Sequence, residues 1–202
     1  MRDLAYYPGA TAVGIKARDG VVLAADKRVT YGFILMSKAG RKVYKISNRL
    51  GIASAGFIAD MQTIARILQA EMRLYELETG LAPKVRNAAK LLSLVLFNRK
   101  LSPYLVETIV GGVDEEGPHI FVLDPIGAVI EDDYTALGTG AQVAIGIIEE
   151  GYKEGISLLE ARDLAVRAVK AAFSRDAASG DGIDLLLISA ETGAKEVFLP
   201  VA

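Results

Sequence analysis

The chain contains no cysteine and no tryptophan, and its one histidine is His119. Without thiols there is no disulfide framework, no thiolate nucleophile and no Cys-ligated zinc. A His-based triad would rest on His119 alone, which follows Pro118 at the start of an apolar run and reads as a structural residue. Asn and Gln are scarce: Asn48, Asn87 and Asn98, with Gln62, Gln69 and Gln142. Together with the missing cysteine, this matches the thermophile habit of avoiding heat-labile side chains. Neither sign of charge dominates, since 23 Lys and Arg stand against 25 Asp and Glu. A nucleic-acid partner would require a basic face, which this balance does not supply. No apolar run reaches the length of a membrane span, and Met1–Gly9 lacks the apolar core of a signal peptide. The expectation is a soluble cytoplasmic protein with neither nucleic acid nor membrane as partner.

What the chain has is apolar residues, 51% of 202, enough for one compact domain with a sizeable core. Met1–Gly9 has no period and ends in the turn signal Pro8-Gly9, so it reads as a leader, with a single domain over 10–202. Thr11–Ile15 and Val21–Ala25 flank a turn ending in Asp19-Gly20, a strong hairpin signal. Val29–Met36 is mixed and broken by glycine. Lys42–Ile46 and Leu50–Ala55 form a second strand pair. Helical period then takes over. Met61, Ile64, Ala65, Leu68, Met72 and Tyr75 fall at three- and four-residue steps within Ile58–Glu78, with Gly80 as the stop. Pro83–Leu101 follows, burying Ala88, Leu91, Leu92, Val95 and Leu96.

Strands return at Val106–Val113, His119–Asp124 and Ala128–Tyr134. Helices follow at Ala141–Tyr152 and from Ser157 to about Arg175. Ser157 and Glu160 at the start of the latter have the spacing of a capping box. Ile183–Ser189 and Lys195–Val201 close the chain as a hairpin. Strands and helices in runs rather than strict alternation predict an α+β fold, with antiparallel sheets between helix pairs.

Several separated motifs are specific. They are Ala10-Thr-Ala-Val-Gly-Ile15, Asp19-Gly-Val-Val-Leu-Ala-Ala-Asp26-Lys-Arg-Val-Thr30, Gly40-Arg-Lys42 and Ala55-Gly56-Phe-Ile-Ala-Asp60. Gly111-Gly-Val-Asp114, Leu123-Asp-Pro-Ile-Gly127 and Arg175-Asp-Ala-Ala-Ser179-Gly-Asp-Gly-Ile-Asp184 complete the set. Over residues 10 to 202 the chain resembles proteasome core subunits, and its short leader makes it most similar to archaeal β-type ones. The resemblance implies a four-layer αββα sandwich, stacked seven-membered rings with β and α subunits as partners, unfolded polypeptide as substrate, and no metal or cofactor. An α-type gate subunit would carry an N-terminal helix ahead of the first strand, which the leader with its Pro8-Gly9 does not offer.

The resemblance also implies N-terminal nucleophile hydrolysis. A threonine freed by removal of a leader attacks the peptide carbonyl, and its own α-amine helps to move the proton. In the register set by Val13-Gly14, the nucleophile position falls on Ala10. Asp26 and Lys42 match the acid and the lysine that tune the base. Gly56 matches the backbone N–H that supports the oxyanion. Asp176, Ser179 and Thr139 match the hydrogen-bonding residues around the nucleophile. Val29, Thr30, Gly40, Tyr44, Ser54 and Ile58 match the positions that line the substrate cleft.

Alanine has no hydroxyl, so the chain is expected to be inactive and to keep Met1–Gly9. Thr11 as a substitute nucleophile would stand one residue short of its register, and on a strand that turns the side chain to the opposite face. Ala10 is either native to a non-catalytic subunit or a replacement of threonine in an active endopeptidase, and the sequence leaves both open. Plainer readings exist for each residue alone. Asp26 and Lys42 could be an ordinary ion pair, Gly56 a point of close packing, and Asp176 and Ser179 helix-end and turn residues.

Overall fold

The computed structural model describes residues 9–32 and 34–201, so the leader residues 1–8 lie outside the described residues. The chain opens with β1 (Ala12–Ala17) and β2 (Gly20–Asp26), paired antiparallel so that Ala12 faces Ala25. A separate hairpin follows, β3 (Val29–Tyr31) with β4 (Ile34–Ser37). Next come β5 (Val43–Lys45), β6 (Leu50–Gly56), and helices α1 (Ile58–Thr79) and α2 (Val85–Phe97). Then come β7 (Val106–Asp114), β8 (Gly117–Leu123), β9 (Val129–Asp132) and β10 (Tyr134–Leu137). Helices α3 (Ala141–Gly151) and α4 (Leu158–Phe173), with β11 (Ile183–Ser189) and β12 (Gly193–Leu199), complete the chain.

The first five-stranded sheet has the order β10-β1-β2-β11-β12 and the second the order β5-β6-β7-β8-β9, every pair antiparallel. The strand period of two divides each strand between two cores. In β2, Val22 and Ala24 pack under α3 and α4, while Val21, Leu23 and Ala25 face the other sheet. In β6, Leu50 and Ile52 pack under α1 and α2, while Ala53 and Ala55 face inward. The result is the αββα sandwich, with one core between the sheets and one beneath each helix pair.

Several expected boundaries move. Ala128–Tyr134 is not one strand. It divides at Asp133 into β9, on the edge of the second sheet, and β10, on the edge of the first. The Asp133 carbonyl accepts the Lys16 N–H at 2.8 Å, which carries the chain across to β1. Pro83–Leu101 shortens to Val85–Phe97, because Asp114 on β7 accepts the Val85 N–H at 2.9 Å and fixes the start of α2 there. Beyond Phe97 the backbone continues in shorter-range turns, Arg99 N–H to Leu96 O and Lys100 N–H to Phe97 O. The helix after Ser157 ends at Phe173, two residues before Arg175, and its capping box forms with both reciprocal bonds. Among the described residues, no helix is long and apolar enough to cross a membrane.

Candidate active site

The site lies where β1 and β2 meet the loop between α4 and β11. Ala10 and Thr11 enter β1 fully buried and point to opposite sides. Ala10 joins the small residues Ala12, Ala25, Ala53 and Ala55 in the core between the sheets. Thr11 points the other way, toward Ser179 on the α4–β11 loop. This is the strand alternation that sets a nucleophile at one of these positions apart from the other.

Asp26 ends β2 with its carboxylate fully enclosed. Oδ1 accepts from Lys42 Nζ at 2.6 Å and from the Thr11 N–H at 3.0 Å. Oδ2 accepts from the N–H groups of Arg28 at 2.9 Å and Gly180 at 3.1 Å. Four donors therefore hold one carboxylate, and three of them are backbone. Burial pushes the Asp26 carboxyl up, and the Lys42 ammonium with the Thr11 and Gly180 N–H groups pulls it back. Burial pushes Lys42 down, opposed by the attraction of Asp26 and, further off, of Asp176. A lysine whose charged form burial disfavours, in a closed site beside an aspartate, is a candidate for proton exchange.

A second network converges on Asp176. Its Oδ2 accepts from Ser179 Oγ at 2.6 Å and from Thr139 Oγ1 at 2.6 Å. Since the Ser179 proton is committed there, Thr11 Oγ1 is the donor in its 2.7 Å bond to Ser179 Oγ. The Ala10 N–H donates to Thr139 Oγ1 at 3.3 Å. The order is thus Thr11 to Ser179 to Asp176 on one side and Ala10 to Thr139 to Asp176 on the other. Asp176 Oδ1 accepts the Ala178 N–H at 3.1 Å, which tightens the turn that carries Ser179.

Gly56 closes β6 at φ 139°, where a Cβ would stand 2.2 Å from the Leu105 carbonyl oxygen. Ala55, the residue before it, lies beside Ala10: a methyl on Gly138 would touch the Ala10 oxygen at 2.2 Å and the Ala55 Cβ at 2.9 Å. Of the residues matched to the cleft, Val29, Gly40 and Ile58 converge. A methyl on Gly40 would lie 2.3 Å from Val29 Cγ2 and 3.6 Å from Ile58 Cδ1. Thr30 is half-buried in β3. Tyr44 packs in the core beneath α1 and α2 and donates its hydroxyl to the Arg41 carbonyl at 2.7 Å. Ser54 is fully buried and shares a 3.1 Å bond with Thr108 Oγ1, on the face of β6 that carries Ile52.

Sequence reasoning did not single out Arg28 and Asp181, which lie against the same loop. The local signal was their adjacency to Asp26 and Ser179-Gly180. Among the described residues, no cluster of three or more His, Asp or Glu side chains could hold a metal ion.

A family model for "Proteasome subunit" matches residues 6–188. The chain is 59% identical over 195 residues to "Proteasome subunit beta 2" of Thermofilum pendens, covering 96% of this chain and 95% of that protein. It is 60% identical over 188 residues to "Proteasome subunit beta 2" of Pyrobaculum arsenaticum, with 93% and 92% covered. It is 56% identical over 181 residues to "Proteasome subunit beta 1" of Ignicoccus hospitalis, with 90% and 91% covered. The chain therefore belongs to the proteasome subunit family, as a β-type subunit.

Proposed function

We propose that this chain is a non-catalytic β subunit of a proteasome core particle. It completes the β rings beside catalytic neighbours and keeps the bond between Gly9 and Ala10. The partners are other β subunits and α subunits in stacked seven-membered rings, in the cytoplasm, with unfolded polypeptide degraded by the particle. The observation that carries the reading is an alanine at residue 10, whose backbone N–H joins the Thr139–Asp176 network and whose neighbour Thr11 bonds both Asp26 and Ser179. Attack on a peptide needs a hydroxyl or thiol activated by a base. Residue 10 has neither, and its nitrogen is an amide that donates to Thr139. The relatives bear the names beta 1 and beta 2, a numbering that fits rings built from more than one β chain.

The completeness of the surrounding framework favours a second reading, in which Ala10 replaces the threonine of an active endopeptidase. The same residues would then act. Lys42, held by Asp26, would tune the proton transfer at a residue 10 hydroxyl. The freed amine would take the place of the Ala10 amide against Thr139, and the Gly56 backbone would face the oxyanion.

Intact mass and peptide hydrolysis, measured on the chain and on Ala10→Thr after assembly with α subunits, test both readings. The chain itself should retain residues 1–9 and be inert; a mature N-terminus at residue 10 without an active partner overturns the first reading. Ala10→Thr should shed the leader and cleave peptides. If it does neither, the matched residues are not a catalytic framework.

A further inference from the structure

The loop after α4 carries Asp176, Ser179 and Gly180, three of the groups that assemble the site, yet it has no regular secondary structure. Arg28, two residues beyond Asp26, lies across it. Its Nε donates to Asp181 Oδ2 at 2.7 Å and its Nη1 to the Ala177 carbonyl at 2.9 Å. Its own N–H, which donates to Asp26, also approaches the Gly180 carbonyl at 3.1 Å. The guanidinium rests directly on Gly180, where a Cβ would stand 2.7 Å from Arg28 Cζ. Asp181 has φ 66°, the one positive φ of a non-glycine residue among those described. An aspartate tolerates that conformation at a cost that its surroundings must offset. The Arg28 fork supplies the compensation: the ion pair holds Asp181 well below the usual carboxylate range, and Lys38 adds a weaker contact at 3.8 Å.

We infer that Arg28 is a positioning residue, clamping the strained 177–181 turn against β2 so that Gly180 meets Asp26 and Ser179 meets Thr11. Arg28 touches no reacting atom. It acts through the Gly180 N–H and the Ser179 hydroxyl, and it joins the two networks into one unit. A lysine would not replace it, because a single ammonium does not span the Asp181 carboxylate and the Ala177 carbonyl as the planar fork does. Only the kinetic arm of the test below rests on the reading of the site as a catalytic framework.

The first arm uses the full-length chain and needs no activity. Amide hydrogen exchange at Gly180 should accelerate by roughly tenfold to a hundredfold in Arg28→Ala and in Arg28→Lys, the range expected for losing charged hydrogen bonds. Asp181→Asn, which keeps a residue tolerant of positive φ, should show the same rise, while amides in α1 and β7 stay unchanged. Unaltered exchange at Gly180 in Arg28→Ala overturns the clamp.

The second arm adds Arg28→Ala to Ala10→Thr in assembled particles. The expected result is a fall in kcat on the order of a hundredfold with KM little changed, partly rescued by added guanidinium. A kcat equal to that of Ala10→Thr alone overturns the clamp. If Ala10→Thr by itself is silent, the framework reading fails and the exchange arm still decides the role of Arg28.

Discussion

The Asp26–Lys42 pair sets a sharp energetic test. Lys42 is 1% exposed and Asp26 0%, so neither charge is hydrated. Lys42→Met removes the ammonium and keeps most of the stem. Asp26 then loses a charged donor but retains the backbone N–H groups of Thr11, Arg28 and Gly180. Breaking a buried pair from one side costs about 3–5 kcal/mol, and the surviving donors put Lys42→Met at the low end, near ~3 kcal/mol. In a chain of this length each kcal/mol moves the unfolding midpoint by about 2–4 °C, so the loss should read as roughly 6–12 °C.

Asp26→Asn should cost more, about 4–5 kcal/mol. It presents one oxygen where four donors converge, turns an NH2 toward N–H groups, and leaves Lys42 unpaired. The double variant should be little worse than Asp26→Asn alone, giving a coupling of about 2 kcal/mol or more. Thermal and denaturant unfolding of the four proteins closes the cycle. Losses that add to within about 0.5 kcal/mol refute the coupling.

The pH profile checks the sign. Burial raises Asp26 from 3.8, so its contribution is fully present below 3.8 and is lost as pH rises through the folded value. Burial lowers Lys42 from 10.5. Between its folded value and 10.5 the unfolded chain holds more protons, so stability should rise with pH there. Lys42→Met should abolish that alkaline rise; a rise that persists assigns it to another group.

Two further substitutions probe the walls of the site. Gly56→Ala would force a Cβ to within 2.2 Å of the Leu105 oxygen at φ 139°. It should destabilise by more than about 2 kcal/mol in urea titration, with a shift under ~0.5 kcal/mol as the contrary result. Thr11→Val keeps the shape and removes the hydroxyl that donates to Ser179, so it should cost about 1–2 kcal/mol. Thr11→Ser should recover the hydrogen-bond part of that loss, and equal losses for Val and Ser would remove the donor role.

Local period made much of the fold legible. The α1 face of Met61, Ile64, Ala65, Leu68 and Met72 is buried as its three- and four-residue steps require, and Ser157 with Glu160 marked a helix start from two side chains. What local period could not show was membership. Val129–Asp132 and Tyr134–Leu137 read as one strand because alternation carries no record of which sheet receives it; the Lys16–Asp133 bond makes that choice from 117 residues away. The end of α2 was obscured for a related reason, since apolar spacing continues while the backbone changes its hydrogen-bond pattern. The site was out of reach of period altogether. Ala10 meets Thr139 across 129 residues and Thr11 meets Ser179 across 168. Motif resemblance placed Thr139 and Ser179 around residue 10, but it did not pair Ser179 with Thr11, and it passed over Arg28 and Asp181.

On the proposed reading, the same geometry accounts for a site that keeps its form without a hydroxyl at residue 10. Removing a buried hydroxyl is costly when it strands a partner. Here each retained polar group is satisfied without it: Asp26 by Lys42 and three backbone N–H groups, Asp176 by Ser179, Thr139 and the Ala178 N–H. Among the described residues, the one enclosed side-chain polar atom without a hydrogen-bond partner is His119 Nε2, 3.6 Å from Asp114 Oδ1 on β7 and outside this network. The Ala10 methyl enters a cluster already lined by Ala12, Ala25, Ala53 and Ala55. Stability therefore places little demand on a hydroxyl at residue 10 while it holds Asp26, Lys42, Asp176 and Ser179 in place. A chain that only had to fold and fill a ring would keep those four and be free to vary the residue between them.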